Sequence, residues 1–166
     1  DCMRCHGFER SYVGPTFADI GQRYAARADG AQYMLEDGKK FDAIFVDGFD
    51  KRGRAGVLDT LPFYQACRSR LSDQGLLSVN LLSRNRGYEA SKKRLDEAFE
   101  GRSLVFPCCE SGNTIAFATG GEPVAVAGSQ LVSRAEQINK TTGLNLIPTI
   151  ERLQSSGTLV NDQLII

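Results

Sequence analysis

Residues 41–82 read "FDAIFVDGFDKRGRAGVLDTLPFYQACRSRLSDQGLLSVNLL", and the order of signals within them decides the fold. The run FDAIFV (41–46) is short, apolar and closed by Asp47, the pattern of a strand buried on both faces. A loop with three glycines, Gly48, Gly53 and Gly56, leads into a helix expected over about residues 59–71. Asp59 or Thr60 suits its N-cap, and Pro62 its first turn, where a missing N–H leaves no bond unmade. Leu61, Tyr64, Cys67 and Leu71 recur near helical spacing, so they form its apolar side. SDQG (72–75) then makes a turn into a second apolar strand, LLSVNLL (76–82).

Working outward, GYEASKKRLDEAF (87–99) is a charged amphipathic helix whose apolar side holds Ala90, Leu95, Ala98 and Phe99. SLVFPCC (103–109) and TIAFAT (114–119), joined by ESGN, read as an antiparallel hairpin. SQLVSRAEQINKTTG and IPTIERLQSS read as two surface helices parted at Gly143. Upstream, AQYMLEDG (31–38) reads as a short helix with Gly38 as its C-cap. Strand, helix, strand, helix and hairpin make the second half of a doubly wound α/β sheet. In such sheets ligands sit outside the carboxyl ends of the parallel strands, which here carry Asp47 and Asn80.

The chain has 166 residues, enough for one ordinary domain with a real core. Lys+Arg and Asp+Glu are equal at 20 each, so no net charge points to nucleic acid or an anionic membrane as partner. No apolar run approaches the roughly 18 residues needed to span a bilayer. The chain begins at Asp1, so its start gives no targeting segment to read. Five cysteines, with Cys108 and Cys109 adjacent, make a poor disulfide framework. Cys67, Cys108 and Cys109 are expected as small core residues, and a reducing, cytoplasmic setting fits them.

Residues 29–120 resemble the spermidine synthase (aminopropyltransferase) family. The motifs are an aromatic-Asp-apolar strand closed by Asp, an Asp-x-x-Asp loop (Asp47 and Asp50), and "FY…C…L…G" running into the next strand. ADGAQYM upstream and NTIAFAT downstream match flanking segments of that family. The resemblance implies a partial doubly wound, Rossmann-like sheet of methyltransferase type with a C-terminal antiparallel hairpin. It also implies aminopropyl transfer from decarboxylated S-adenosylmethionine to a polyamine, with methylthioadenosine as an alternative ligand of the S-adenosyl type. By resemblance Asp47 matches the catalytic acid/base, and Asp50, Asn80 and Tyr64 match substrate contacts. Asp29, Gly30 and Ala31 match the adenine-side cofactor contacts. The chemistry suits the residues, since a cationic amine must be held and deprotonated before it can attack. Asp47 and Asp50 are also good turn formers beside Gly48 and Gly53. Two departures stand out: the loop reads DKRGRAG where the family has DPVGPA, which adds Lys51, Arg52 and Arg54. No GxGxG occurs, so the first strands and the Gly-rich cofactor loop are missing from the pattern. An S-adenosyl ligand is accordingly expected to bind the isolated chain weakly.

The first residues, CMRCHGFERSYVGPTFADIGQRYA, resemble instead the N-terminal part of a class I cytochrome c. That resemblance implies haem c bound through thioethers of Cys2 and Cys5, with His6 as the iron ligand. His6 is the only histidine, and Met34 the only methionine after Met3. Two segments are therefore expected: residues 1–28, cytochrome c-like, and residues 29–166, the spermidine synthase-like α/β domain. Use of the haem motif would place the protein in the periplasm. A half sheet exposes a strand edge and apolar faces, so a homo-oligomer is expected. Three readings follow: a transferase, a c-type electron carrier, and an inactive assembly module.

Overall fold

The structure, a computed structural model, describes residues 40–50, 52–108 and 112–166. Strand β1 (Phe41–Val46) is followed by a 3-10 turn (Gly56–Asp59), helix α1 (Leu61–Arg70) and strand β2 (Leu71–Leu82). Helix α2 (Tyr88–Ala98) precedes β3 (Ser103–Val105) and β4 (Asn113–Thr119). The chain ends with β5 (Ala125–Ala127), α3 (Gly128–Thr142), α4 (Ile147–Ser155) and β6 (Gln163–Ile165). The helix expected over 31–38 lies outside the described residues.

Among the described residues four strands form one sheet in the order β1-β2-β4-β3. β1 and β2 are parallel, while β2/β4 and β3/β4 are antiparallel. This is the expected partial doubly wound sheet, with its antiparallel pair at the C-terminal side. β2 begins at Leu71, directly after α1, but its pairing with β1 jumps from Phe41↔Leu71 to Ala43↔Leu76. SDQG is thus absorbed as a bulge, and the turn read there survives as an irregularity in the strand.

One face of the sheet is covered. Ile44 and Val46, Leu77, Val79 and Leu81, and Ala116 and Ala118 are buried on it, with Tyr64, Cys67, Leu95, Ala98 and Phe99. Period-two alternation explains why these residues share a face while their neighbours do not. The other face departs from expectation. Ala43 is exposed and Phe45 is 79% exposed, so β1 is buried on one face only. β1 stands at the end of the strand order, where a continuous apolar run no longer implies two covered faces. The helix expected over about 59–71 forms as Leu61–Arg70; Leu71, expected on its apolar side, opens β2 instead, and Arg70 is buried along with Tyr64 and Cys67. In α2 the inward positions are Ser91, Leu95 and Ala98, and Ala90 is exposed. Cys108 is exposed rather than core filler, because Pro107 follows the end of β3 and the chain leaves the sheet there.

Gly143 ends α3 in the left-handed conformation at φ 76°, as a C-cap glycine should. The small antiparallel pair β5–β6 was not legible in the sequence. It joins the start of α3 to the chain end, with Ala135, Ile150, Leu153 and Leu164 buried around it. No helix among the described residues is long and apolar enough to cross a membrane.

Candidate functional site

The parallel register of β1 and β2 puts Val46 beside Val79, so Asp47, just past the end of β1, stands beside Asn80, which still pairs with Ile115 of β4. Asn80 Nδ2 donates to Asp47 Oδ1 at 3.0 Å. The contact spans 33 positions in sequence and depends wholly on the strand pairing. Asp47 is exposed, and alternation places both residues on the same face as the exposed Phe45. Asn80 Oδ1 is buried without a hydrogen-bond partner, so the amide has unmet acceptor capacity next to the carboxylate.

Asp50 is occupied by its own loop. Its Oδ1 accepts from the backbone N–H groups of Arg52 (2.8 Å) and Arg54 (2.9 Å). Its Oδ2 accepts from Arg54 Nε at 2.8 Å and pairs with Nη2 at 2.7 Å. Gly53, at φ 70°, donates its N–H to the Asp50 carbonyl and closes the turn. Asn85 Nδ2 holds the Gly53 carbonyl at 2.8 Å and ties the loop to the segment after β2. The Arg54 backbone N–H, then its side chain, hold the Asp50 carboxyl below the usual carboxylate range. Any amine reaching Asp50 must displace Arg54.

Tyr64 is fully buried, and its hydroxyl donates to Asp59 Oδ1 at 3.0 Å. Asp59 Oδ2 accepts from Ser91 Oγ at 2.7 Å and Arg94 Nη2 at 2.6 Å. Burial, then the Asp59 charge, push the Tyr64 phenol far above its ordinary range, so it stays a neutral donor. The structure therefore places Tyr64 in a polar bracket between α1 and α2, apart from the Asp47–Asn80 contact. Asp59 is not the helix cap; Thr60 is, accepting from Phe63 N–H. The sequence signal that could have found Asp59 was the buried tyrosine, whose hydroxyl needs a partner.

A cavity of about 320 Å³ opens beside these groups. Phe49, Arg52, Arg54 and Asp59 line it from the loop side, and Leu81, Asn85, Arg86 and Tyr88 from the β2–α2 side. Asp29, Gly30 and Ala31, and the haem-motif residues Cys2, Cys5 and His6, lie outside the described residues, as do Met34, Lys51 and Cys109. Among the described residues no group of three or more His, Cys, Asp or Glu could hold a metal ion. Those residues also contain no Gly-rich cradle for an S-adenosyl group.

No protein-family profile matches the chain. The polyamine aminopropyltransferase of Neisseria meningitidis is 32% identical over 150 residues, covering 90% of this chain and 55% of the relative. Cytochrome c-552 of Hydrogenobacter thermophilus is 33% identical over 61 residues, 37% of this chain and 50% of that protein. The two matched stretches, 90% and 37% of the chain, necessarily overlap. The chain spans about half the length of the curated relatives it matches. The crystal structure of human methyltransferase-like protein 13 in complex with SAH aligns over 75% of this chain and 65% of that one. Its TM-score of 0.56 at 20% identity shows a shared fold. The chain has a family-level resemblance to the spermidine synthase (aminopropyltransferase) group and a weak, distant one to cytochrome c.

Proposed function

We propose that residues 40–166 form the acceptor-side half of an aminopropyltransferase, in which Asp47 holds and deprotonates the attacking amine of a polyamine. The observation that carries this is the Asp47–Asn80 contact, made just past the carboxyl end of β1 and near that of the parallel β2. A protonated amine is not a nucleophile, and a carboxylate fixed by a neutral amide can hold the cation and take its proton. Asn80 orients the carboxylate, and Asp50 keeps the loop in register through Arg54. The donor, decarboxylated S-adenosylmethionine, would supply the electrophilic carbon beside a sulfonium; its C–S bond breaks as the C–N bond forms, and methylthioadenosine leaves. Asp29, Gly30 and Ala31 are its proposed contacts, with the rest of its pocket furnished from outside the described residues. Aminopropyl transfer to putrescine, followed by mass spectrometry of the product amine, tests the reading. Asp47→Asn should lower the rate by about 10²–10⁴-fold, with little change in melting temperature. Unchanged transfer in that variant would refute the assignment.

A second reading has its own observation, the similarity to cytochrome c-552. Haem c joined to Cys2 and Cys5, with His6 on the iron, would make the chain an electron carrier of the periplasm. A Soret band in protein produced with a haem-attachment system supports it; its absence there removes it.

A further inference from the structure

We propose that the cavity between the loop after β1 and the start of α2 binds a small organic anion, a phosphate or carboxylate carried on an apolar body. Three arginines, Arg52, Arg54 and Arg86, line it. The side chains of Arg52 and Arg86 make no ion pair or hydrogen bond among the described residues, and both are exposed at the rim. Arg54 pairs with Asp50, but in a contact where the two side chains are 65% and 40% exposed. Such a pair exchanges readily with a competing anion. Asp59 is the one acidic residue lining the cavity among the described residues, and Tyr64, Ser91 and Arg94 already occupy its carboxylate. Three like charges around one space repel one another, and an anion turns that repulsion into attraction.

The N-terminus of α2 adds to the same field. Gly87, its N-cap, has no side-chain cap and lines the cavity with Tyr88. The Tyr88 N–H is taken by the Asn85 carbonyl, and the positive end of the dipole of this 11-residue helix adds to the field of the arginines. The walls set the rest of the ligand. Phe49, Leu81 and Leu82 provide an apolar surface, and about 320 Å³ is near the small end of ligand pockets. Guanidinium forks suit phosphate and carboxylate equally, in bidentate geometry.

This site is separate from the proposed amine site, since neither Asp47 nor Asn80 lines the cavity, which β2 walls with Leu81 and Leu82. The inference thus goes beyond the transferase reading and does not depend on it. Arg54 connects the two, since an anion that recruits it leaves the Asp50 carboxylate open.

Titration calorimetry of the full chain with phenyl phosphate, benzoate, inorganic phosphate and putrescine tests the proposal. Phenyl phosphate or benzoate should bind one to one, more weakly as salt rises, and the tighter of the two identifies the head group. Inorganic phosphate should bind at least about tenfold more weakly than phenyl phosphate, because it leaves the apolar wall bare. The double variant Arg52→Ala/Arg86→Ala should lose at least about tenfold in affinity, and the control Arg134→Ala on α3 none. Both substitutions are at exposed positions, and an unchanged melting temperature checks that the fold survives. No heat from either organic anion at its solubility limit would overturn the proposal. So would equal affinity in the double variant, or putrescine competing for the same cavity. Inorganic phosphate binding as tightly as phenyl phosphate would overturn the apolar body.

Discussion

Replacing Asp59 with Ala removes the acceptor at the centre of the bracket joining α1 to α2, and the size of the loss can be worked from its partners. The carboxylate receives Tyr64 Oη, Ser91 Oγ and Arg94 Nη2 at 3.0, 2.7 and 2.6 Å. Tyr64 is fully buried, so its abandoned hydroxyl should cost about 1–3 kcal/mol. Breaking a fully buried ion pair costs about 3–5 kcal/mol. The Arg94–Asp59 side chains are 31% and 21% exposed, so water recovers much of that amount. The remainder gives an expected destabilisation of about 2–4 kcal/mol for Asp59→Ala. Tyr64→Phe removes one donor and leaves the ion pair intact, so about 1 kcal/mol is expected. The two changes share a partner, so the double variant should lose less than the sum. Urea denaturation followed by circular dichroism measures all three, with the slope m unchanged. A loss below about 0.5 kcal/mol for Asp59→Ala, or a larger loss for Tyr64→Phe, would refute the reasoning.

Two further predictions concern the loop and the strand junction. NMR titration of Asp50 should give a midpoint below the ordinary aspartate range, since the backbone N–H and side chain of Arg54 favour its charged form. A depressed folded value means the loop is held above the ordinary range and released as pH falls through that value. Arg54→Ala should raise the midpoint only partly, because backbone N–H donors at 2.8 and 2.9 Å remain. Gly75→Ala places a Cβ 2.8 Å from the Phe41 carbonyl oxygen and 2.9 Å from Leu71 Cβ, in the bulge between β1 and β2. The neighbours are largely backbone and cannot move aside, so a loss of about 1–3 kcal/mol and faster amide exchange in β1 are expected.

What the sequence disclosed and what it hid follow from how far each signal reaches. β1, α1 and α2 were legible because their apolar spacing and caps are local, and Gly143 marked the end of α3 by itself. The three-residue strands β5 and β6 were not, since a period of two cannot be seen over three positions. FDAIFV looked buried on both faces because composition does not reveal a strand's place in the sheet. At the site, Asp47 and Asn80 were each read as strand ends, but their contact appears only with the register. Arg54 was read only as a departure from the family's loop. The fold shows it fastened to Asp50, a contact four residues apart that turn geometry alone creates.

Putrescine titrated into ¹⁵N-labelled full chain shows whether Asp47 and Asn80 together receive an amine. Asn80 donates its side-chain N–H to Asp47, so that resonance reports on the carboxylate without any donor substrate present. It should move saturably with putrescine, together with the backbone amides of Asp47 and Gly48, and Asp47→Asn should abolish the response. An Asn80 side-chain resonance that stays in place at saturating putrescine, or shifts equally in Asp47→Asn, would contradict it.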